Sequence, residues 1–121
     1  MLPSKEKIEQ LRAQFPDREL HLIEAYDDSD EVMSFILTAP ERGEYKIYIS
    51  KLIETESVKD EGEKLWKVRE AMENAVLGQI RWPEREECQK AFRARPEMID
   101  KFGNELRRLA GAQVELKSKK L

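Results

Sequence analysis

The N-terminal segment has apolar residues at helical spacing. Ile8, Leu11 and Phe15 recur at intervals of three and four positions, which places them on one face of a helix. Ser4 stands where its hydroxyl can accept a hydrogen bond from an otherwise unpaired N–H of the first turn. Proline cannot continue a helix, and Pro16 follows directly. The pattern therefore predicts a first helix between Ser4 and Pro16.

The next two segments are short, and their polarity partly alternates, as it does in strands. Residues 19–26 read ELHLIEAY, and residues 31–39 read EVMSFILTA. Between them, DDSD (27–30) carries the Asp and Ser side chains that stabilise turns. We therefore predict an antiparallel β-hairpin over residues 19–39. A two-stranded hairpin is marginally stable in water, so it must pack on helices, a third strand or a partner.

From residue 40 to residue 111 the apolar spacing is helical. Thr38 and Glu41 have the spacing of a capping box, which predicts a helix that starts here with Pro40 in its first turn. Its apolar stripe consists of Tyr45, Tyr48, Ile49, Leu52 and Ile53. A polar stretch with Gly62 predicts a break, after which a second helix extends to about residues 78–80. The repeating face of that helix consists of Leu65, Arg69, Met72 and Val76.

Two prolines thirteen positions apart, Pro83 and Pro96, each precede a charged run. Proline is favoured at the first helical position and stops a preceding helix, so each is predicted to end one element and open the next. The inward residues of these two helices are Cys88, Ala91 and Phe92, and then Ile99, Phe102, Leu106 and Leu109. Gly111 is placed to close the last helix, and residues 112–121 are expected to form a flexible tail.

These elements predict an α+β, mostly helical fold: an N-terminal helix, a β-hairpin, and a bundle of about four helices. A length of 121 residues suits a single domain over residues 1–121. The net charge of −3 is mild and its signs are mixed along the chain, so no nucleic-acid partner is expected. The sequence has one cysteine and no signal-peptide pattern, and none of its apolar runs approaches the roughly 20 residues of a membrane span. We therefore predict a cytoplasmic protein.

The sequence contains little of the chemistry that catalysis or metal binding requires. His21 is the one histidine and Cys88 the one cysteine, too few for a zinc site, and nothing in the sequence brings the two together. We expect His21 to be half-exposed and Cys88 to be a small core residue. DDSDE resembles the start of a calcium loop but lacks its central glycine and closing glutamate. We predict no enzyme, no catalytic residues, no metal and no cofactor.

Protein binding is the class that the sequence favours. The strands carry apolar residues on both faces. Two interpretations follow: the edge of the hairpin accepts a strand from a partner, or both faces are covered within the monomer. For Trp66 and Trp82 a core position is favoured over an interface. The predicted protein-binding residues are Leu22, Phe35, Ile36, Leu37, Tyr45, Tyr48 and Trp82. Self-association into a homo-oligomer is a further expectation.

The stretch LTAPERGEYKIYISKL (37–52), followed downstream by RWPE, ARPEMIDKFGNELRRLAG and a lysine-rich tail, resembles small tail assembly chaperones of long-tailed bacteriophages and prophages. The likeness covers residues 31–111 and rests on the order and separation of these motifs. It implies a non-enzymatic protein that coats the long tape-measure protein and helps recruit tail-tube subunits in the host cytoplasm. The alternative is a structural or adaptor protein with an obligate partner in a phage or bacterial assembly.

Overall fold

The computed structural model describes residues 2–26, 31–112 and 114–121. The order of elements confirms the predicted α+β fold: an N-terminal helix and a hairpin precede a helical region. The elements are α1 (Lys5–Gln14), β1 (Leu20–Tyr26), β2 (Val32–Thr38), α2 (Arg42–Thr55), α3 (Glu61–Gln79), β3 (Ile80–Trp82), α4 (Arg85–Ala94), α5 (Glu97–Arg107) and a π-helical turn (Arg108–Ala112). The predicted turn at residues 27–30 lies outside the described residues.

The hairpin is part of a three-stranded antiparallel sheet in the order β1-β2-β3. β1 and β2 pair along their whole length, with Ile23 opposite Phe35 and Leu22 opposite Ile36. β3 pairs with the other side of β2, where the register is irregular between Ile36 and Leu37. A third strand was one of the supports expected for the hairpin, and the structure supplies it immediately after α3.

The main core lies where α3, α4 and α5 cover one face of the sheet. Phe35 and Leu37 of β2 are fully buried in it, and the ring of Phe35 meets the ring of Phe102 edge-on at 4.8 Å. The other buried members of the cluster are Val76, Leu77, Cys88, Phe92 and Met98. Burying an aromatic ring of this kind contributes about 1.5–3 kcal/mol.

Three helix ends follow the predicted chemistry. Ser4 caps α1, because its hydroxyl accepts a hydrogen bond from the backbone N–H of Lys7 at 3.1 Å. α3 ends at Gln79, within the predicted limits. Gly111 adopts a φ of 99°, a left-handed conformation that glycine tolerates and that ends the last helical segment.

Three predicted helix starts are wrong in detail. The capping box of α2 is formed by Glu41 and Glu44, because Thr38 belongs to β2 and Pro40 lies before the helix. Gly62 lies inside the first turn of α3, which Asp60 caps, so the break falls at residues 56–60. Pro83 stands one position before the cap residue of α4 and thus outside the helix.

Candidate functional site

An open groove of about 650 Å³ runs between α2 and α3. Tyr45 and Tyr48 line it from α2, and their rings meet edge-on with centroids 6.0 Å apart. On α3 the lining residues include Ala71, Ala75 and Gly78, which share one helix face through their spacing of four and three positions. Small side chains on that face leave room for another chain to approach the backbone of α3 closely.

The groove is apolar at depth and charged at its edges. Tyr48, which lines the groove, is buried. The charged residues at the edges are exposed, namely Lys51 and Glu54 on α2 and Lys67 and Glu70 on α3. Burial, with a smaller contribution from Tyr45, raises the pKa of the Tyr48 hydroxyl, while Arg107 opposes the shift. The hydroxyl therefore stays protonated. Apolar lining with mixed charges at the edge is typical of a surface that binds one face of an amphipathic helix.

A polar cluster, defined as Arg18, Thr38, Glu44, Gln79 and Arg81, lies at one end of this groove. Arg18 donates hydrogen bonds to Glu44 Oε1 at 2.8 Å and to Gln79 Oε1 at 2.9 Å. It also donates to the carbonyl oxygen of Ala39 at 2.5 Å. These bonds tie the segment between α1 and β1 to the start of α2 and the end of α3, and thus hold the groove's two walls in place.

The second half of the polar cluster is centred on Thr38. Its hydroxyl donates to Gln79 Oε1 at 2.8 Å and accepts from Arg81 Nε at 3.1 Å. The guanidinium of Arg81 also stacks over the ring of Phe15, 4.4 Å from its centroid. The end of α1 is thereby joined to β3.

The two cations of the polar cluster are balanced by Glu44 within it and by Glu41 beside it. Burial alone would raise the pKa of Glu44, but hydrogen bonds from the Glu41 backbone, Gln79 and Arg18 outweigh it and hold that pKa below its ordinary value of 4.5. Burial and the nearby Arg18 lower the pKa of Arg81, and Glu44 and Glu41 oppose that shift. Two guanidinium groups thus face the carboxylates of Glu41 and Glu44. These ion pairs hold the walls of the groove in place, and they leave no excess positive charge to bind an anion.

The structure brings only two of the predicted binding residues into the groove. Tyr45 and Tyr48 line it. Phe35, Ile36 and Leu37 are buried in the monomer, so no partner can reach them without unfolding the sheet. Leu22, on β1, is 51% exposed and lies apart from the groove, and Trp82 is half-buried in β3.

Several large apolar side chains that were predicted to lie in the core or on an apolar helix face are exposed. Trp66 is 71% exposed, which overturns its predicted core position. Ile49 and Ile53, in the predicted stripe of α2, and Leu65, on the predicted face of α3, are exposed as well. α2 has a single close helical neighbour, α3, so one side of its broad apolar stripe stays uncovered among the described residues.

His21 and Cys88 occupy the positions that their residue types predicted. His21 is half-buried, and its Nε2 lies 3.9 Å from a carboxylate oxygen of Glu19. Cys88 is fully buried, and burial together with Glu87 raises the pKa of its thiol to about 11. A protonated, buried thiol is a poor nucleophile. The described residues contain no group of three or more His, Cys, Asp or Glu arranged to hold a metal ion, and none of their helices is long and apolar enough to cross a membrane.

The groove residues that sequence reasoning missed are the small ones on α3 and the polar ones beside them. Ala71, Ala75 and Gly78 follow helical spacing in REAMENAVLGQ, a signal visible in the sequence. Arg18 and Gln79 gave no such signal, because they are 61 positions apart and only the fold brings them together.

The sequence model of one protein family matches residues 5–119, and the chain belongs to that family, which is described as a domain of unknown function (DUF6848). Comparison with curated proteins and with solved structures gives no match.

Proposed function

We propose that this member of the DUF6848 family is a non-enzymatic protein-binding domain, and that it takes an apolar helical segment of a partner protein into the groove between α2 and α3. The observation that carries the proposal is the pairing of two tyrosines on α2 with the small-residue face of α3 across an open groove. This is the geometry of helix-in-groove recognition, in which affinity comes from apolar side chains spaced along one helix face.

The narrower form of the proposal is a tail assembly chaperone of a long-tailed phage or prophage, acting in the host cytoplasm. This form is supported by the position of Tyr45 and Tyr48. Both belong to the stretch 37–52 that resembles those proteins, and both line the groove. The client would be the tape-measure protein, whose long apolar helices need cover before the tail tube encloses them. An open groove with charged edges suits a client that must later be released.

A second candidate is an adaptor with an obligate partner. It is favoured by the exposed apolar residues outside the groove, including Trp66 and Ile53, because a permanent interface is larger and more apolar than a transient one. An adaptor would purify in a fixed ratio with its partner, whereas a chaperone would release its client when tail tube subunits are added.

The test is affinity purification of the tagged protein from its host after prophage induction, with mass spectrometry of what is retained. The groove variant is Ala71→Arg, which places a long charged side chain on the small-residue face while keeping a good helix former. The matched control is Ala13→Arg on the exposed side of α1. Circular dichroism of both variants verifies that the helices remain.

Wild type and Ala13→Arg are expected to retain a protein with long helical segments, and Ala71→Arg is expected to lose it. A tape-measure protein in that fraction supports the chaperone form. Equal retention by Ala71→Arg would contradict binding in the groove.

A further inference from the structure

The two edges of the sheet differ in how well they are protected against pairing with another strand. β3, at one edge, has three residues, pairs irregularly with β2 and is followed by Pro83. Shortness, irregularity and proline are the devices that proteins use to block an edge. β1, at the other edge, has seven residues, contains no proline and pairs regularly with β2 throughout.

Among the described residues, no element other than β2 approaches β1 closely enough to hydrogen-bond along it. The backbone groups on its outer side are therefore available for pairing. Within β1, Glu24 is the one acidic residue and there is no Lys or Arg, so little charge protects this edge.

Apolar surface is uncovered on both faces of the sheet beside this edge. On one face, Leu22 is 51% exposed and Tyr26 is 73% exposed. On the other face, Ile23 and Ala25 line a second open groove, of about 580 Å³, together with Met33 and residues of α5. A strand added to β1 would cover apolar surface on both faces at once.

We infer that β1 is the surface through which two copies of this chain pair, antiparallel, so that two three-stranded sheets join into one. The sequence of β1 fits itself in the register centred on Ile23. That register sets Leu20 opposite Tyr26 of the second copy and Leu22 opposite Glu24, with the two Ile23 residues facing each other. The remaining pair sets His21 opposite Ala25, so no like charges meet. The register centred on Glu24 would oppose two carboxylates and is disfavoured.

This pairing goes beyond the proposed function, and its test is independent of the groove because Leu22 does not line that groove. The register assigns opposite effects to two charges at one exposed position. Leu22→Glu sets a carboxylate opposite Glu24 of the second copy at two symmetric points, whereas Leu22→Lys sets an ammonium group there. Both variants remove the same apolar side chain.

The experiment is analytical ultracentrifugation of the full chain over a range of concentrations. Wild type and Leu22→Lys are expected to be dimers. The dissociation constant of the Leu22→Glu dimer is expected to be at least roughly tenfold higher than that of Leu22→Lys, because two cross-strand pairs become repulsive. Adding Glu24→Lys to Leu22→Glu restores opposite charges and is expected to restore the dimer. A monomeric wild type, or equal dissociation of the two Leu22 variants, would overturn the inference.

A second measurement does not depend on those variants. In Ile23→Cys the two new thiols face each other across the two-fold axis, so oxidation with diamide is expected to link two chains. In Ala25→Cys each new thiol lies opposite position 21 of the second copy, four residues from that copy's own thiol. The two chains are therefore expected to stay unlinked. Capture of a strand from a different protein by β1, with no link between copies in Ile23→Cys, would also overturn the inference.

Discussion

Thr38 donates its hydroxyl proton to Oε1 of Gln79 across 2.8 Å, and both side chains are buried although 41 residues separate them in sequence. The bond joins the end of β2 to the end of α3, the two places where the chain turns into α2 and β3. It also lies at the centre of the polar cluster that closes the groove, so the stability of the fold and the shape of the candidate site depend on the same contact.

We predict that Thr38→Val destabilises the protein by about 1–3 kcal/mol although it conserves volume, because Arg81 Nε and Gln79 each lose a buried partner. Urea denaturation measures the change. The control is Ser57→Ala, whose hydroxyl makes one exposed local bond to Glu54, with an expected change within about 0.5 kcal/mol. Equal effects of the two substitutions would contradict a structural role for this contact.

Glu44 makes part of the stability pH-dependent. Its folded pKa is lowered by the hydrogen bonds that it accepts, so the stabilisation is present above the ordinary value of 4.5 and is lost as the pH falls through the lower folded value. The free energy of unfolding of wild type minus that of Glu44→Gln is therefore expected to be largest near neutral pH and to shrink below about pH 4.5. A difference that does not change with pH would argue against an ionised Glu44 in the polar cluster.

Phe35 lies in the core and Trp66 on the surface, so truncating the two side chains is expected to change stability by very different amounts. Phe35→Ala removes a fully buried ring that contacts Phe102 and is expected to cost about 3–5 kcal/mol. Trp66→Ala removes a larger but mostly exposed side chain and is expected to change stability by about 0.5 kcal/mol or less. Chemical denaturation of both variants decides the point, and a larger cost at Trp66 would contradict the packing described for α3.

Cys88 is expected to resist thiol reagents in the native protein. At pH 8, a thiol with a pKa of about 11 is ionised in about one molecule in a thousand, and the buried sulfur is also sterically shielded. Its reaction with a disulfide reagent should therefore be slow until guanidinium chloride unfolds the chain. A chain carrying Cys88→Ala and Ser57→Cys provides an exposed thiol for comparison, and equal native rates would show that α4 opens readily.

The sequence predicted the fold well where local chemistry decides the structure. The cap at Ser4, the two strands, the end of α3 and the left-handed Gly111 each follow from a residue and its immediate neighbours. Thr38 illustrates the limit of such arguments. It has the spacing of a cap residue, but the buried bonds to Gln79 and Arg81 hold it in the strand, and neither partner is near in sequence.

The candidate site could be predicted only in part. Tyr45 and Tyr48 were identified from their pattern, but the groove that they line also needs α3, whose position depends on tertiary packing. Helical periodicity put Leu65 on the repeating face of α3, and Trp66 was predicted to lie in the core. Both are exposed, because α3 is longer than the elements that cover it and its first turns stay exposed. Apolar spacing shows which residues share a face and does not show whether anything covers that face.

The most direct test of the groove is site-specific photo-crosslinking. Benzoylphenylalanine replaces Lys67 at the exposed edge of the groove, and the same residue replaces Ala13 on α1 as the control. After irradiation in the host, mass spectrometry identifies the segment that is attached. We predict that position 67 links to an amphipathic helical segment of one partner and that position 13 does not. Linkage to the same segment from both positions, or to no segment from position 67 while the partner still co-purifies, would contradict the account.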